Sequence, residues 1–326
     1  MFSVNYLKDI FLLKLMKKPN LFIVGHPKCG TSAIYYYLKQ HPEVFMPYIK
    51  EPDYFADDVN TFLLISFPKL RTLKGYLDLF KDAKNQKVVG EASPSYLYSK
   101  TAAKRIYEFD PNAKIIMVIR EPVSFLYDHH TELLKARGLP LEVENNFEKA
   151  LELESSRKYG KNIPLNCIEP TLLFYSDFIK YSEQIKRYLQ YFPRKNVKII
   201  IYEDFRKDNL KILKEILEFI GVDSGFNFEL AEINPPVRIK NHLLKRILDI
   251  PYIHFSRLMG AKNKFNEPIR DFFLKIYYFG VYENRVENKV DPTLRRRLMK
   301  KYKGEVEKAG KLVERDLVKY WGYDKV

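Results

Sequence analysis

Cysteine is nearly missing from this chain: among 326 residues only Cys29 and Cys167 occur. Two thiols cannot build a disulfide framework, so a reducing, cytoplasmic setting is expected. Long apolar runs are missing too. No stretch approaches the roughly eighteen apolar residues that a membrane-spanning helix requires. The opening segment Phe11-Leu12-Leu13-Lys14-Leu15-Met16 is apolar but short, lysines stand at 8, 14, 17 and 18, and no small-residue cleavage site follows. It reads as an amphipathic helix over about 6–18, lying on the domain or in peripheral contact with a membrane surface. There is no internal repeat and no low-complexity tract. No HExxH spacing supports a metal site, and no helix-turn-helix or RNP-type aromatic motif supports nucleic acid as a partner.

What is abundant sets the class. Hydrophobic residues make up 46% and charged residues 30%, enough apolar side chain for a large core, which excludes global disorder. Fifty-six Lys and Arg against 41 Asp and Glu leave a formal charge of +15. Such an excess calls for an anionic partner: nucleic acid, an acidic membrane, a phosphorylated nucleotide or a polyanionic substrate.

Short apolar runs at Leu21–Val24, Val88–Gly90, Ile115–Ile119 and Val197–Tyr202 read as buried strands. Helical spacing follows at Thr31–Gln40, stopped by His41-Pro42, and then at about 72–80, 99–109, 122–136, 171–191 and 205–220. Gly221 stands where a C-terminal cap belongs. Alternation of this kind predicts an α/β fold, a parallel sheet flanked by helices, with ligands at the carboxyl ends of the strands. From about 222 to 290 the periodicity blurs, broken by Pro235-Pro236, Pro251 and Pro268. Asp291-Pro292 then opens a clear helix, Asp as N-cap and Pro at the first position. The expected organisation is one domain over 1–326, with its core at about 20–220 and a helical, aromatic-rich extension over about 222–326.

The first strand-to-helix junction, Gly25-His26-Pro27-Lys28-Cys29-Gly30-Thr31-Ser32, has the composition of a phosphate cradle. Backbone N–H groups at a helix start point at an anion, the helix dipole favours negative charge there, and Thr31 and Ser32 add hydroxyl donors. Gly25 and Gly30 keep the spacing of the GxxxxGK[ST] nucleotide loop, but position 31 is Thr and the lysine, Lys28, lies inside the loop. The bland alternative is a glycine turn with Lys28 solvated.

Taken in order along the chain, the motifs resemble those of the sulfotransferases that use 3′-phosphoadenosine 5′-phosphosulfate (PAPS), in particular the carbohydrate and bacterial type. The signature PKxGT[TS] loop is matched by Pro27-Lys28-Cys29-Gly30-Thr31-Ser32, followed by His41-Pro42. A KEPxFF-like segment is matched by Lys50-Glu51-Pro52-Asp53-Tyr54-Phe55. A GExSPxY-like turn is matched by Gly90 to Tyr96, an apolar strand ending in Arg-x-Pro by Ile119-Arg120-Glu121-Pro122, and a strand ending in Tyr-Glu-Asp by Tyr202-Glu203-Asp204. The matches cover roughly 20–220. Beyond them a DPxLRxxL helix and a late Asp-Leu…Trp share only the family's texture.

The resemblance implies a P-loop-like fold, PAPS as sulfuryl donor with adenosine 3′,5′-bisphosphate (PAP) as product, and no metal. Donor contacts would come from Lys28, Cys29, Gly30, Thr31 and Ser32 at the 5′ end and from Arg120 at the 3′-phosphate. Lys28 would neutralise the leaving phosphate and Glu51 would be the catalytic base. The acceptor would be a hydroxyl, or an amine, of a carbohydrate, lipid or small metabolite. Lys50 and Glu91 are candidates for contact with the transferred group or the substrate, as are His129 and His130, of which a helix can turn at most one toward the site. The chain departs from the family's pattern at two points. Asp128, a candidate for donor contact by position, stands where a phosphate-binding serine is usual, so either Ser124, one turn earlier, substitutes or Asp128 faces elsewhere; and Ala92 stands where several relatives carry lysine. Arg238, Lys240 and Arg295-Arg296-Arg297 could complete the donor pocket, line an acceptor groove, or form a solvated face.

Two other functions fit parts of the pattern. A P-loop kinase or NTPase is opposed by the displaced Lys28 and by Arg120 standing where a magnesium aspartate would be. A non-catalytic binder of an anionic polymer accounts for the charge but has no use for a phosphate loop, an arginine and a glutamate together.

Overall fold

The computed structural model describes residues 16–60, 68–135, 141–165, 167–230, 237–239, 282–284 and 290–326. The amphipathic reading of 6–18 and most of 231–289, Lys240 included, lie outside them. In chain order the elements are β1 (Leu21–Gly25), α1 (Thr31–Leu38), β2 (Val44–Phe45), α2 (Leu73–Leu77), β3 (Val88–Ala92), α3 (Ser95–Tyr98), α4 (Ala102–Phe109), β4 (Lys114–Ile119) and α5 (Pro122–Lys135). There follow α6 (Phe147–Glu152), α7 (Glu154–Lys158), α8 (Tyr175–Phe178), α9 (Tyr181–Leu189), β5 (Val197–Ile201), α10 (Tyr202–Lys207) and α11 (Asn209–Ile220). The strands β6 (Val237–Ile239) and β7 (Tyr282–Asn284) pair antiparallel, and α12 (Pro292–Leu312) and α13 (Leu317–Tyr320) complete the chain.

Two compact units can be distinguished. One is built from residues up to 125, from 176 to 233 and from 296 onward; the other from 126–175 and 234–295. The first unit holds a five-stranded, wholly parallel sheet in the order β2-β3-β1-β4-β5, flanked by helices, which is the α/β class the alternation predicts. All five residues of β1 and Ile115 to Ile119 of β4 are buried, so the two most apolar runs of this unit occupy adjacent central positions. Each such side chain contributes about 1.5–3 kcal/mol by leaving water.

The register aligns the chemistry. Ile23 pairs with Ala92, Gly25 with Val118 and Ile119 with Ile201. The segments that begin at His26, Ser93, Arg120 and Tyr202 therefore all leave the sheet at its carboxyl edge, on neighbouring strands about 4.8 Å apart.

Helix limits depart from the sequence reading where side chains compete for backbone groups. The expected helix over 99–109 starts at Ala102, because Ser99 Oγ accepts from the amides of Thr101 and Ala102 (3.2 and 3.0 Å). The expected 171–191 helix is three pieces: a 3₁₀ turn at Pro170–Leu173, then α8 and α9. Between the last two, Gln184 Nε2 donates to the carbonyls of Asp177 and Phe178 (3.1 and 3.3 Å), which a continuous helix would have used internally. The 205–220 helix begins earlier and is interrupted at Asp208, whose side chain accepts from Lys211 N at 3.0 Å and caps α11. Gly221 closes α11 in the left-handed region (φ 76°), and Asp291 Oδ1 caps the start of α12 through the amides of Thr293 and Leu294, both 2.9 Å. Arg296 and Arg297 are exposed on α12.

In the second unit a buried ion pair organises the chain around α6 and α7. Arg157 gives two parallel hydrogen bonds of 2.7 Å to Glu142, and Tyr175 O–H adds a third at 2.8 Å. Both charged side chains are almost wholly buried (1% and 0% exposed). Burial opposes the Glu142 charge, but the Arg157 hydrogen bonds outweigh it and hold the carboxyl below its usual range. Arg157→Leu leaves that carboxylate buried without its partner and is expected to cost about 3–5 kcal/mol in urea unfolding, with part of the loss recovered in the Arg157→Leu/Glu142→Leu double variant.

Candidate functional site

The loop after β1 turns on two residues in the left-handed region, Lys28 (φ 62°) and Gly30 (φ 84°). Glycine is required at 30: a Cβ there would lie 3.3 Å from both the Phe205 and Tyr202 rings, on an unfavourable backbone besides. At Lys28, a non-glycine residue, the same geometry costs on the order of 1 kcal/mol or more, the kind of strain that functional loops retain. Gly30 is the N-cap of α1 and supplies no side-chain cap, and no acidic residue occupies the first turn. The start of α1 thus presents N–H groups and a positive dipole end unopposed by any carboxylate of its own. Thr31 is buried, Ser32 and Lys28 are half-buried, and Cys29 is buried and in no disulfide, its amide donating to the His26 carbonyl at 3.3 Å.

Arg120, at the tip of β4, closes this loop from the adjacent strand. Its Nη1 donates to the Lys28 carbonyl at 2.9 Å, and its guanidinium lies 4.5 Å from the centroid of the Tyr202 ring, a cation–π contact. Tyr181 O–H donates to the Arg120 carbonyl at 2.8 Å. Behind the loop His26 is fully buried, its Nε2 2.9 Å from Gln184 Oε1 and its ring against Phe125, Phe178 and Tyr181. Helix α9 therefore holds both the loop and the arginine.

Glu121 and Glu203 stand beside Arg120. Glu121 caps α5: its carboxylate accepts from the amides of Val123 and Ser124 (both 2.9 Å) and from the Ser124 hydroxyl at 2.6 Å. The proton that Ser124 would offer a phosphate is thus directed at Glu121. Tyr323 O–H donates to the other Glu121 oxygen at 2.6 Å. Glu203 accepts from the Glu121 amide and from Trp321 Nε1, both 3.1 Å; burial pushes its carboxyl up, with the hydrogen bonds and Arg120 opposing. Asp204 pairs with Arg315 and accepts from Tyr320 O–H at 2.5 Å.

The KEP segment is latched to the turn after β3. Glu51, also left-handed (φ 62°), donates its amide to the Ala92 carbonyl at 3.0 Å; Asp53 N donates to Ser93 Oγ at 3.2 Å; Phe55 N donates to Tyr96 O–H at 3.3 Å. The Lys50 ammonium contacts the Glu51 carboxylate, which is half exposed. Glu91 lies beneath, fully buried, receiving hydrogen bonds from Tyr76 (2.7 Å), Ser93 (2.8 Å) and Tyr96 (2.9 Å). Ser93 and Tyr96 thus serve Glu91 and the Asp53–Phe55 backbone together.

Lys28, the 29–32 turn, Arg120, Ser124, Lys50, Glu51 and Glu91 all belong to the first unit. Asp128, His129 and His130 lie on the part of α5 in the second. Asp128 is half-buried there. Both histidines are buried, with His129 Nε2 2.9 Å from the Leu172 carbonyl and His130 Nε2 2.7 Å from that of Glu144. Burial lowers both pKa values, that of His129 to about 4. Among the described residues no cluster of His, Cys, Asp or Glu could hold a metal ion, and no helix is long and apolar enough to cross a membrane. Tyr323 carries no signal of its own in a single sequence, and the motifs that hold Tyr202, Glu121 and Trp321 do not say what those side chains touch. The Tyr-Glu-Asp motif was visible; the reason for it, a stack and two anchors around Arg120, was not.

With this geometry in view the comparisons are direct. The sulfotransferase domain family matches residues 18–234, and the chain belongs to that family. Sulfuryl transfer is the chemistry that membership assigns. The membrane-associated sulfotransferase kil1 of Dictyostelium discoideum is 24% identical over 79% of this chain and 67% of its own. Human carbohydrate sulfotransferase 15 is 25% identical over 63% of this chain, and the mouse bifunctional heparan sulfate N-deacetylase/N-sulfotransferase 4 is 26% identical over 65%. The matches take in only 44% and 23% of those two proteins. A sulfotransferase crystal structure from Alicyclobacillus acidocaldarius shares the fold, with a TM-score of 0.68 at 24% identity, covering 94% of this chain and 99% of that one.

Burial raises the Glu91 carboxyl from 4.5 to about 7, against the opposing pull of its three hydrogen bonds and of the Lys50 charge. Between those two values the folded state keeps a proton that the unfolded chain has lost. Stability must therefore fall as pH rises through that window, by roughly 3 kcal/mol in all. Glu91→Gln cannot titrate and is expected to flatten this decline in urea unfolding series between about pH 4.5 and 7.5; an unchanged slope would show that Glu91 ionises normally.

Proposed function

We propose that this chain transfers the sulfuryl group of PAPS to a hydroxyl, or an amine, of an acceptor, a carbohydrate foremost, with a lipid or small metabolite as the wider class. The observation that carries the reading is the strained, uncapped turn at Lys28–Ser32 closed by Arg120 from the next strand. N–H donors, two hydroxyls and Lys28 at the ligand edge of a parallel sheet, with Arg120 beside them on the next strand, support a site for a nucleotide that carries a phosphate at each end.

In this reading the amides of Gly30, Thr31 and Ser32 and the two hydroxyls hold the 5′-phosphate, and Lys28 neutralises the charge that grows on its bridging oxygen. Arg120 pairs with the 3′-phosphate, for which a planar guanidinium fixed on Tyr202 is well suited. Ser124 joins it by turning its hydroxyl away from Glu121. Glu51 takes the acceptor proton as the acceptor atom attacks sulfur in line; the S–O bond to the 5′-phosphate breaks, and PAP leaves with both electrons of that bond. Lys50, placed against Glu51, supplies a cation beside the sulfuryl oxygens, which suits a chain with Ala92 where relatives carry lysine. The left-handed backbone at both Lys28 and Glu51 supports their assignment as the working pair. Glu91 supports the Glu51 segment from below, and His129 and His130 serve their own unit. The membrane-associated description of the Dictyostelium relative supports peripheral membrane contact through residues 6–18.

Thermal unfolding distinguishes this reading from its rivals. PAP without metal should stabilise the protein strongly, ATP with magnesium and a single-stranded oligonucleotide should not, and preference for either of those would overturn it. Lys28→Ala should retain the wild-type melting temperature while sulfate transfer from labelled PAPS drops about 10²–10³-fold; near-normal turnover would remove Lys28 from the mechanism. Asp128→Ser should tighten PAP binding if that carboxylate faces the 3′-phosphate, and leave it unchanged if it does not.

A further inference from the structure

Hydrogen bonds converge on both oxygens of Glu121, the residue after Arg120. Oε1 accepts from the Val123 amide at 2.9 Å and from Tyr323 O–H at 2.6 Å. Oε2 accepts from the Ser124 amide at 2.9 Å and from the Ser124 hydroxyl at 2.6 Å. Glu121 and Tyr323 are both buried, so solvent is poorly placed to replace a donor that departs. These donors differ in freedom. The two amides belong to the first turn of α5, and the phenol is carried on a ring packed in the interior. The Ser124 hydroxyl sits on a half-buried side chain and leaves Glu121 by rotation about a single bond.

A 3′-phosphate paired with Arg120 gives the Ser124 proton a second acceptor, in competition with Glu121. The outcome depends on what Glu121 keeps. With Tyr323 and the two amides still in place, the carboxylate gives up one donor at small cost. Without the phenol, the Ser124 hydroxyl is the remaining hydroxyl donor to a buried charge, and surrendering it is expensive. We propose that Tyr323 is a positioning residue for the donor's 3′-phosphate: by satisfying Glu121 it frees the Ser124 hydroxyl, and so sets the preference of the site for a nucleotide that carries a 3′-phosphate over one that lacks it. It acts through Glu121 and Ser124 rather than by touching the nucleotide. This rests on the sulfotransferase reading above and adds to it a specificity determinant drawn from the last residues of the chain.

The test is calorimetric titration of the full chain with PAP and, separately, with adenosine 5′-monophosphate (AMP), which lacks the 3′-phosphate. The wild type should prefer PAP. Tyr323→Phe should weaken PAP about fivefold and leave AMP unchanged, which also shows that the variant is folded. Ser124→Ala should weaken PAP as well, and adding Tyr323→Phe to it should cost nothing further, because the hydroxyl that the phenol frees is gone. Tyr320→Phe removes a neighbouring C-terminal bond, to Asp204, and should keep the wild-type ratio of the two affinities. An unchanged ratio in Tyr323→Phe overturns the proposal. Equal weakening of PAP and AMP does so too, since that is what general loosening of the chain end produces. Additive effects of Tyr323→Phe and Ser124→Ala, or the same loss of preference in Tyr320→Phe, also overturn it. Failure of the wild type to bind PAP at all overturns the donor reading instead, and that result is read before any variant is compared.

Discussion

The hydrogen bond from Arg120 to the Lys28 carbonyl joins the tip of β4 to the turn that follows β1. Without it the left-handed residue at 28 would have little reason to stay where it is, since the conformation is strained and the side chain is only half-buried. With it, a loop that could have been an ordinary glycine turn becomes a fixed cradle. The parallel register makes the bond possible: the two strands end level, Gly25 against Val118, so an arginine two residues past Val118 reaches the turn directly.

A strongly basic chain has to keep its cations from drifting apart, and this one does so with acids. Glu121 and Glu203 stand beside Arg120 and accept from amides, an indole N–H and a phenol O–H. On the other side of β1 the arrangement is reversed. Glu91 is an acid surrounded by phenols and a serine, its pKa raised by burial to about 7, and it anchors the same hydroxyls that support the backbone of the Glu51 segment.

Much of this was legible in the sequence, and the reason is the physics of short apolar runs. Strands β1 and β4 are continuous hydrophobic segments bounded by glycine or arginine, and in a parallel sheet that pattern has few other readings. The strand-to-helix turn at 25–31 followed from glycine spacing, and Gly221 and Asp291 followed from capping chemistry. What escaped were effects that depend on distant partners. The breaks at Ser99 and near Gln184 come from side chains bonding to backbone groups that helical spacing alone assigns elsewhere. Strand β2 is two residues long, too short for any periodicity. His129 and His130 stood out in the sequence as candidates for substrate contact, and only packing shows one ring nitrogen of each against a backbone carbonyl. Glu91 was noted beside its glycine, but its buried cage draws on Tyr76, fifteen residues away and without a motif of its own.

The anchors that Trp321 and Tyr323 provide come from far along the polypeptide, Tyr323 reaching Glu121 across 202 positions. During synthesis the ribosome releases the sheet and the cradle long before these two side chains emerge. Over that interval the acids beside Arg120 lack an indole and a phenol, and contacts of such long sequence separation are the slowest to form. The brace beside Arg120 therefore forms only after residues 321–323 have emerged, and a nascent or clipped chain that lacks them carries the loop and the arginine without it.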